Sequence, residues 1–533
     1  MTEPDGARQA APPHDTIDDA GVIETGAPLS RSRLWQIQRD YFHRVGVRAW
    51  SAATVPHYVT NNPALADAYV EVILGFWRDV HAAGAHPEEP LTIVELGSGC
   101  GRFAFLFLRA LTERLSGSPL AGVRFRYVMT DFTETNVAFF QRHASLAPFV
   151  AEGVLDFAVF DATTDHEIWL CISGEVIAPG RRASPLAVIA NYVFDGIPQD
   201  AFSFDGGALR EYLVTLTSQE TSAEPARPLD VDRLRISWTR RPASLDYYDD
   251  RAMNDVLRGY IGRVKEGATV LFPSAAIRCL VRLAELSSGR LLLVSGDRGE
   301  THEDAVGTEG EPDITVHGSF SMDVNYHAMA EYVRRLSGLA LTVPYQQEHL
   351  SVAAFLLGAH PAGWIETRAA FARSLERGGP IEFFSLRRAL ADGYRNLDLP
   401  QLLSVIRLGH WDPRILYECG DALHEHGAQA TPALSAEMVR TVMRVWERHY
   451  PIGEPKDFAF AFAMLAHAFG GIREALVLFQ ASRDLHGADP RTLWNMALCH
   501  MALGEVESAC VRLREVAALA PGFAPAGALQ PKA

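Results

Sequence analysis

Long hydrophobic runs are missing from this sequence of 533 residues. No stretch reaches the roughly 18 apolar residues that a membrane-spanning helix needs, so we expect no membrane span. Residues 1–30 are acidic and rich in alanine and proline, and they lack the apolar core of a signal peptide. We therefore expect these residues to form a disordered tail.

Acidic residues outnumber basic ones, and the cysteines do not occur in closely spaced pairs. The 49 lysines and arginines against 65 acids give a net charge of −16, which argues against a general nucleic-acid binder. No two of the six cysteines have C-x-x-C spacing, and His302, His317 and His327 are not at metal-ligand spacing. We expect a cytoplasmic protein with reduced cysteines, no bound metal and no nucleic-acid partner.

Periodic apolar residues indicate the elements that are present. Spacings of three and four residues predict helices at 33–45 and 62–84. From 91 to about 215, strands alternate with helical segments, which predicts a Rossmann-like α/β fold with a mostly parallel sheet. The predicted strands are LTIVEL, FRYVMT, LDFAVF, LAVIAN, REYLVTL and, later, GRLLLVSGD. Residues 216–270 are predicted to be a cap or insertion in a domain that spans 31–383.

A repeat of 34 residues occurs in the C-terminal part, where strand patterns disappear. Small or apolar residues recur at one spacing: Ala463, Gly470, Ala475 and Phe479 are followed by Ala497, Gly504, Ala509 and Leu513. The spacing resembles tetratricopeptide repeats, whose small residues let paired helices approach closely. Residues 384–533 are predicted to be a helical-repeat domain that binds a protein or peptide. The alternative is a helical lid packed on the first domain.

The most informative stretch is VELGSGCGR, in which a predicted strand ends in Glu95 and a helix follows Gly97, Gly99 and Gly101. Glycines permit unusual backbone angles, and the helix N-terminus offers free N–H groups to a ligand. A dinucleotide fingerprint needs glycine where Arg102 stands, and an acid here repels pyrophosphate but attracts an ammonium group. The pattern resembles motif I of class I methyltransferases that use S-adenosylmethionine (SAM). The alternative is a turn that serves packing alone.

Other strand ends supply the expected partners of SAM. Asp131 follows the second strand, where a carboxylate can accept hydrogen bonds from both ribose hydroxyls. Asp161 follows the third strand and either accepts from the adenine amine or is only a turn residue. Asn191 and Asp195 follow the fourth strand, where the transferred methyl group should lie. Asp195 is the first candidate to orient the acceptor and take its proton, with capping of the next turn as its alternative role.

A wider resemblance covers roughly residues 57–358. Six segments resemble, in order, those of the MidA-like methyltransferases, the family of the complex I assembly arginine methyltransferase: HYVTNNPALADAYVEVILGFW, VELGSGCGRFAFLFLR, MTDFTETNVAFFQRH, ANYVFDGIPQDAF, LLLVSGDRG and EPDITVHGSFSMDVNYHAMAEYVRRLSGL. The resemblance implies a seven-stranded core that binds SAM, with Thr60 and Asn61 near the methionine carboxylate. The family's glutamate and tyrosine are replaced by Tyr192 and Arg298, so its substrate is not carried over.

Three functions follow from these patterns. The first is SAM-dependent methyl transfer to a protein or peptide bound by the C-terminal helices, with an arginine nitrogen as one acceptor. The second is methylation of a small molecule or natural product, with the helices as a lid or as the contact of a homodimer. The third is a catalytically inactive assembly or scaffold protein, which the residues at 192 and 298 would suit. His57 and Tyr58 precede the entry loop and either line the site or are structural.

Overall fold

The apolar runs that alternate with helical segments form one mixed sheet in the computed structural model of the chain. The structure describes residues 21–84, 89–117, 120, 122–181, 184–218, 231–345, 350–358 and 363–523. The sheet has seven strands, numbered here along the chain: β1 Leu91–Leu96, β2 Phe125–Asp131, β3 Leu155–Val159, β4 Leu186–Asn191, β5 Leu291–Asp297, β6 Leu339–Thr342 and β7 Ser351–Leu357.

The strand order is β3-β2-β1-β4-β5-β7-β6, and β7 alone among them runs antiparallel to its neighbours. This arrangement confirms the predicted α/β class with a seven-stranded sheet. Strands β1, β2, β4 and β5 end at one edge, as the pairing of Leu96 with Ala190 and of Gly296 with Asn191 shows. In open sheets of this kind, ligands bind beyond the carboxyl ends of the parallel strands.

Helices cover both faces of the sheet because both faces of its strands are apolar. Along β1, Ile93 faces one hydrophobic core, and Val94 and Leu96 face the other, which is the alternation that a strand imposes. The helices of the first face are Pro63–Ala82, Arg102–Ser116, Glu134–Arg142 and Ile365–Phe371. Those of the second face are Arg251–Gly259, Ser274–Glu285 and Tyr326–Arg335.

A second, antiparallel sheet corrects two of the sequence predictions. It contains Val22–Pro28, Asp200–Asp205, Ala208–Ser218, Leu234–Pro242 and Val270–Phe272. The run REYLVTL therefore belongs to this sheet and not to the parallel one. Residues 21–30 are ordered, whereas they were expected in the disordered tail, because their strand pairs with Ala208–Ser218 and packs beside helix Arg33–Val45. The predicted cap at 216–270 supplies two further strands of this sheet and helix Arg251–Gly259.

Short elements complete this part of the chain. The helices are Arg48–Ser51 and Ala147–Ala151, with single 3-10 turns at Leu29–Arg31, Phe194–Gly196, Val231–Arg233 and Glu303–Ala305. The strands are Ile168–Trp169, Val176–Ile177, Gly299–Glu300, Thr315–His317, Ser319–Ser321 and Val324–Asn325. A π-helical turn at Ala372–Glu376 leads toward the C-terminal helices.

The C-terminal part is helical, as predicted. Its α-helices are Pro380–Ala391, Leu399–Leu408, Pro413–Glu418, Gly420–His426, Pro432–Trp446, Phe458–Ala468, Ile472–His486, Pro490–Ala502 and Val506–Leu519. The last four helices form two consecutive pairs. Gly470 turns the chain between the two helices of the first pair, with φ of +82°, and Gly504 does the same in the second pair, with φ of +79°. Whether these pairs are true repeats stays a prediction. Within the described residues, no helix combines the length and the apolarity needed to cross a membrane.

The segment 450–454 joins this helical part to the α/β part. The ring of Tyr450 is buried and stacks on His143 with ring centroids 3.8 Å apart. Arg102 donates to the carbonyl oxygen of Tyr450 at 3.2 Å and forms an ion pair with Glu454. The outer side of the helix that follows the glycine turn is therefore covered by the helical part.

Candidate active site

A cavity of about 270 Å³ lies at the carboxyl ends of β1, β2 and β4. It brings together nine of the ten residues that the sequence singled out: Thr60, Asn61, Glu95, Gly97, Gly99, Asp131, Asp161, Asn191 and Asp195. The tenth, Gly101, is not among the lining residues. Each role assigned to these residues is discussed below from its contacts.

The glycine turn has the conformation that only glycine adopts easily. Gly97 and Gly99 have φ of +57° and Gly101 has φ of +81°. A Cβ atom on Gly99 would lie 3.1 Å from the Trp50 ring, so this glycine keeps the cavity open. A Cβ atom on Gly101 would instead lie 2.7 Å from Tyr450 Oη. Gly101 therefore accommodates the helical part and does not line the cavity.

Glu95 is a buried acid at the end of β1. Its Oε2 accepts a hydrogen bond from Ser98 Oγ at 2.8 Å. Burial, with a smaller contribution from the charge of Asp131, raises the pKa of Glu95 to about 7. A cationic ligand group beside this carboxyl would favour its ionised form, so the site fits the ammonium group of SAM.

Asp131 already receives four protein hydrogen bonds. Its carboxylate accepts from the backbone N–H of Gly99 at 3.3 Å and from the N–H and hydroxyl of Thr133 at 2.9 and 2.8 Å. The fourth donor is Asn136 Nδ2 at 3.1 Å. Burial raises the pKa of Asp131 despite these donors. Because a carboxylate offers about four lone pairs, a ribose hydroxyl would have to share or displace one of these bonds.

Asp161 lies opposite Asp131 and is paired with a base. Arg39 Nη2 is 2.7 Å from its carboxylate, and the Thr163 N–H and hydroxyl donate at 2.8 and 2.6 Å. Burial acts to raise the pKa of Asp161, but these donors outweigh it and lower the pKa. The Arg39 guanidinium lies 4.5 Å above the Phe132 ring, which also lines the cavity. The sequence interpretation missed this apolar wall, although Phe132 directly follows Asp131.

Thr60 and Asn61 are held by the loop that contains His57. The Thr60 hydroxyl and Asn61 Nδ2 donate to the His57 carbonyl oxygen at 3.3 and 2.9 Å. Asn61 Oδ1 accepts from Phe103 N at 3.1 Å at the start of a helix. Burial, followed by the charge of Arg102, lowers the pKa of His57 to about 4, so its imidazole is neutral. Contact of Thr60 and Asn61 with the methionine carboxylate stays a prediction.

Asn191 is the last residue of β4, and only the oxygen of its side-chain amide has a hydrogen-bond partner among the described residues. Its Oδ1 accepts from Tyr69 Oη at 2.9 Å, whereas its buried Nδ2 has no partner among the described residues. The next residue, Tyr192, has φ of +52°, a strained conformation for a tyrosine. Strain of this kind concentrates at functional sites, and both residues line the cavity. The free N–H group of Asn191 is therefore available to a bound molecule.

A second buried acid, Asp297, accompanies Asp195. Asp195 is 8% exposed and lines the cavity, while Asp297 is fully buried at the end of β5. Burial raises the pKa of Asp195 to about 7 and the pKa of Asp297 well above its usual range. In the sequence, Asp297 is one of seven acids in the segment 296–313 and was not among the candidate site residues. The pairing of β4 with β5 brings the two carboxyl groups together.

A larger cleft of about 760 Å³ lies between the α/β part and the helical part. It shares Trp50, His57 and Asn61 with the smaller cavity. Tyr58, which follows His57, lines this cleft, and its hydroxyl donates to Asp412 at 3.0 Å. Within the described residues, no group of three or more His, Cys, Asp or Glu side chains could hold a metal ion.

Comparison with known proteins identifies the α/β part. Residues 71–304 match the family described as "Putative S-adenosyl-L-methionine-dependent methyltransferase". No curated protein matches the chain.

Several solved structures are similar to this chain. A Burkholderia thailandensis protein bound to S-adenosyl-homocysteine (SAH) is 16% identical and covers 66% of this chain and 91% of its own, with a TM-score of 0.41. An uncharacterised protein from the same organism is 15% identical, with coverage of 63% and 87% and a TM-score of 0.39. Magnesium protoporphyrin IX methyltransferase from Synechocystis is 12% identical, with coverage of 61% and 100% and a TM-score of 0.28.

The family match covers β1, β2, β3, β4 and β5 and therefore most of the residues that form the cavity. The open glycine turn, the acid at Glu95 and the unpaired amide of Asn191 fit a ligand with an ammonium and several polar groups. The chain therefore contains a SAM-dependent methyltransferase domain, and SAM is its cofactor.

Proposed function

We propose that this enzyme methylates a protein or peptide, and that an arginine nitrogen is the acceptor. The observation that carries the proposal is the cleft between the α/β part and the helical part, which adjoins the cofactor cavity and shares Trp50, His57 and Asn61 with it as lining residues. An acceptor bound along the helical part can reach the cavity by this route with one side chain. A peptide is the class of ligand that such helical surfaces commonly bind.

The walls of the cleft carry aromatic rings and charges of both signs, with four carboxylates and four lysine or arginine side chains among the described residues that line it. Tyr417 and Phe458 pack edge to face with ring centroids 5.0 Å apart and offer an apolar platform. Glu418 and Asp421 lie on the same wall, where Arg414 pairs with Glu418 at 3.1 Å and Arg395 pairs with Asp421 at 3.3 Å. Aromatic rings beside carboxylates attract guanidinium groups through both stacking and charge.

In the smaller cavity, the carboxyl group of Asp195 can accept a hydrogen bond and a proton from the acceptor nitrogen. When bound, SAM supplies a methyl group on a positively charged sulfur. The chain holds Glu95 and Asn191 ready for polar groups of the ligand, and Asp195 ready for the acceptor. Holding the two reactants in line contributes several kcal/mol to the rate enhancement.

The test is a charge reversal in the cleft with a matched control on another surface. We compare Asp421→Lys with Asp484→Lys, an exposed position on helix Ile472–His486 that does not line the cleft. The assay follows transfer of labelled methyl from SAM to arginine-containing peptides and to the protein and small-molecule fractions of a cell extract. SAH affinity, measured by calorimetry, checks the cofactor site of each variant.

The proposal is supported if the amount of label in protein or peptide falls several-fold in Asp421→Lys but not in Asp484→Lys, while both variants bind SAH with unchanged affinity. Label found only in the small-molecule fraction refutes it and favours a natural-product acceptor. SAH binding without transfer to any fraction refutes it in favour of an inactive scaffold. Whether the enzyme forms a homodimer does not affect these outcomes.

A further inference from the structure

The carboxyl groups of Asp195 and Asp297 lie close together and are buried, with only Asp195 reaching the cavity. The two groups are close enough to interact directly, and a hydrogen bond between them can form only when one of them is protonated. Asp297 Oδ2 accepts from Phe194 N at 3.3 Å and from Tyr326 Oη at 3.2 Å. The other oxygen, Oδ1, has no donor among the described residues. A buried carboxylate oxygen without a donor is costly, but a protonated one can itself donate.

We propose that Asp195 and Asp297 act as one base that holds a single proton between them: Asp297 Oδ1 carries this proton and donates it to the Asp195 carboxylate, which receives the proton of the methyl acceptor. Two carboxylates this close cannot both ionise readily in a buried site. The proton on Asp297 removes the repulsion and accounts for the partnerless oxygen. Asp195, which lines the cavity, is the catalytic member, and Asp297 is a positioning residue.

This inference rests on the proposed transfer to an N–H acceptor. As the nitrogen–carbon bond forms, the carbon–sulfur bond breaks and its electron pair stays on sulfur. The acceptor nitrogen then loses one proton to Asp195, and the pair holds two protons until one passes to solvent. No oxidant, reductant or further reactant is needed.

The surroundings set the pH at which the pair can act. The other charged or titratable groups that face it are Arg298, Asp323, Tyr192, Tyr326 and Tyr69. The Arg298 guanidinium favours the ionised form of Asp195, but Asp323 binds it at 2.9 Å and opposes this effect. Burial therefore dominates, and Asp195 gains its charge only as the pH rises through about 7. Transfer should be slow below that pH and fast above it.

The first test is infrared spectroscopy of the full chain saturated with SAH, because the carbonyl band of a protonated carboxyl group is distinct from that of a carboxylate. At about pH 8, the spectrum of the wild type minus that of Asp297→Asn should show one protonated carboxyl. Asp195→Asn should keep this band of the protonated carboxyl. It should lose a second carboxyl band, which in the wild type disappears as the pH rises through about 7 and belongs to Asp195. Absence of the signal in the wild type, or its persistence in Asp297→Asn, overturns the proposal. Equal SAH affinity establishes that each variant is folded.

The second test is the pH profile of methyl transfer to arginine-containing peptides. Asn at 297 is a neutral donor like the protonated acid, so Asp297→Asn should lose less of the transfer rate than Asp297→Ala and should keep its rise near pH 7. Asp297→Ala lacks the donor, so its rise should shift upward, and one pKa unit slows transfer about tenfold at low pH. Equal loss in both variants overturns the inference. If no peptide is methylated while the infrared signals are as expected, the acceptor class is wrong and the proton-sharing pair stands.

Discussion

Replacing Glu95 with glutamine should stabilise the free protein while weakening its hold on SAM. Glu95 is 4% exposed, and burial raises its pKa from the ordinary value of 4.5 to about 7. The folded state therefore binds a proton more tightly than the unfolded state. This contribution to stability is present below about pH 4.5 and is lost as the pH rises through about 7. A shift of this size corresponds to about 3 kcal/mol in free energy of unfolding.

Glutamine at 95 keeps an oxygen for the Ser98 hydroxyl and never ionises. Urea titrations at about pH 4 and about pH 8 should thus show Glu95→Gln gaining up to about 3 kcal/mol over the wild type at the higher pH and almost nothing at the lower pH. The exposed Glu152→Gln serves as the control and should show no such pH-dependent difference. An equal gain at both pH values, or a less stable variant at pH 8, would contradict the reasoning.

The same substitution removes the charge that we expect to face the ammonium group of the cofactor. A hydrogen bond to a charged group contributes about 1.5–3 kcal/mol, so calorimetry should show SAH binding weakened roughly 10- to 100-fold. Unchanged affinity would mean that Glu95 does not contact this group. Stability and binding would then move independently, and the acid would have only a structural role.

Three further predictions follow from single contacts. Gly99→Val should abolish SAH binding in calorimetry, because φ is +57° and a Cβ atom would lie 3.1 Å from Trp50. Asp79→Ala should cost about 2–4 kcal/mol in urea unfolding, because this buried carboxylate accepts three hydrogen bonds at the start of the helix after β7. Arg102→Ala should speed proteolysis between the two parts of the chain, because it leaves the buried Glu454 carboxylate without its partner.

The parallel strands and the glycine turn could be read from the sequence because their signals are local. A strand buried on both faces must be apolar throughout, and the left-handed angles of the turn require glycine. Both features depend little on distant parts of the chain, so β1 to β5 lie where they were expected and the candidate cofactor residues other than Gly101 line the cavity.

The second sheet and Asp297 could not be read in this way. Residues Ala208–Ser218 have the pattern of a strand, but the choice of sheet depends on partners such as Val22–Pro28, nearly 200 residues away. Asp297 stands at the head of an acidic loop, where composition predicts a solvated surface. Only the register of β5 against β4 places it beside Asp195. In both cases a long-range pairing decided the outcome.

The contact of Tyr450 with Gly101 also affects how the C-terminal helices could be exchanged in a chimaera and how the two parts could change during evolution. An exchangeable module needs a boundary that few contacts cross. Here residues 450–454 belong to the helices by sequence but form a wall behind the cofactor turn. A chimaera that replaces the C-terminal helices must therefore keep this segment. A change in the helices that shifts Tyr450 would also displace the glycine turn, so the two parts are constrained to evolve together.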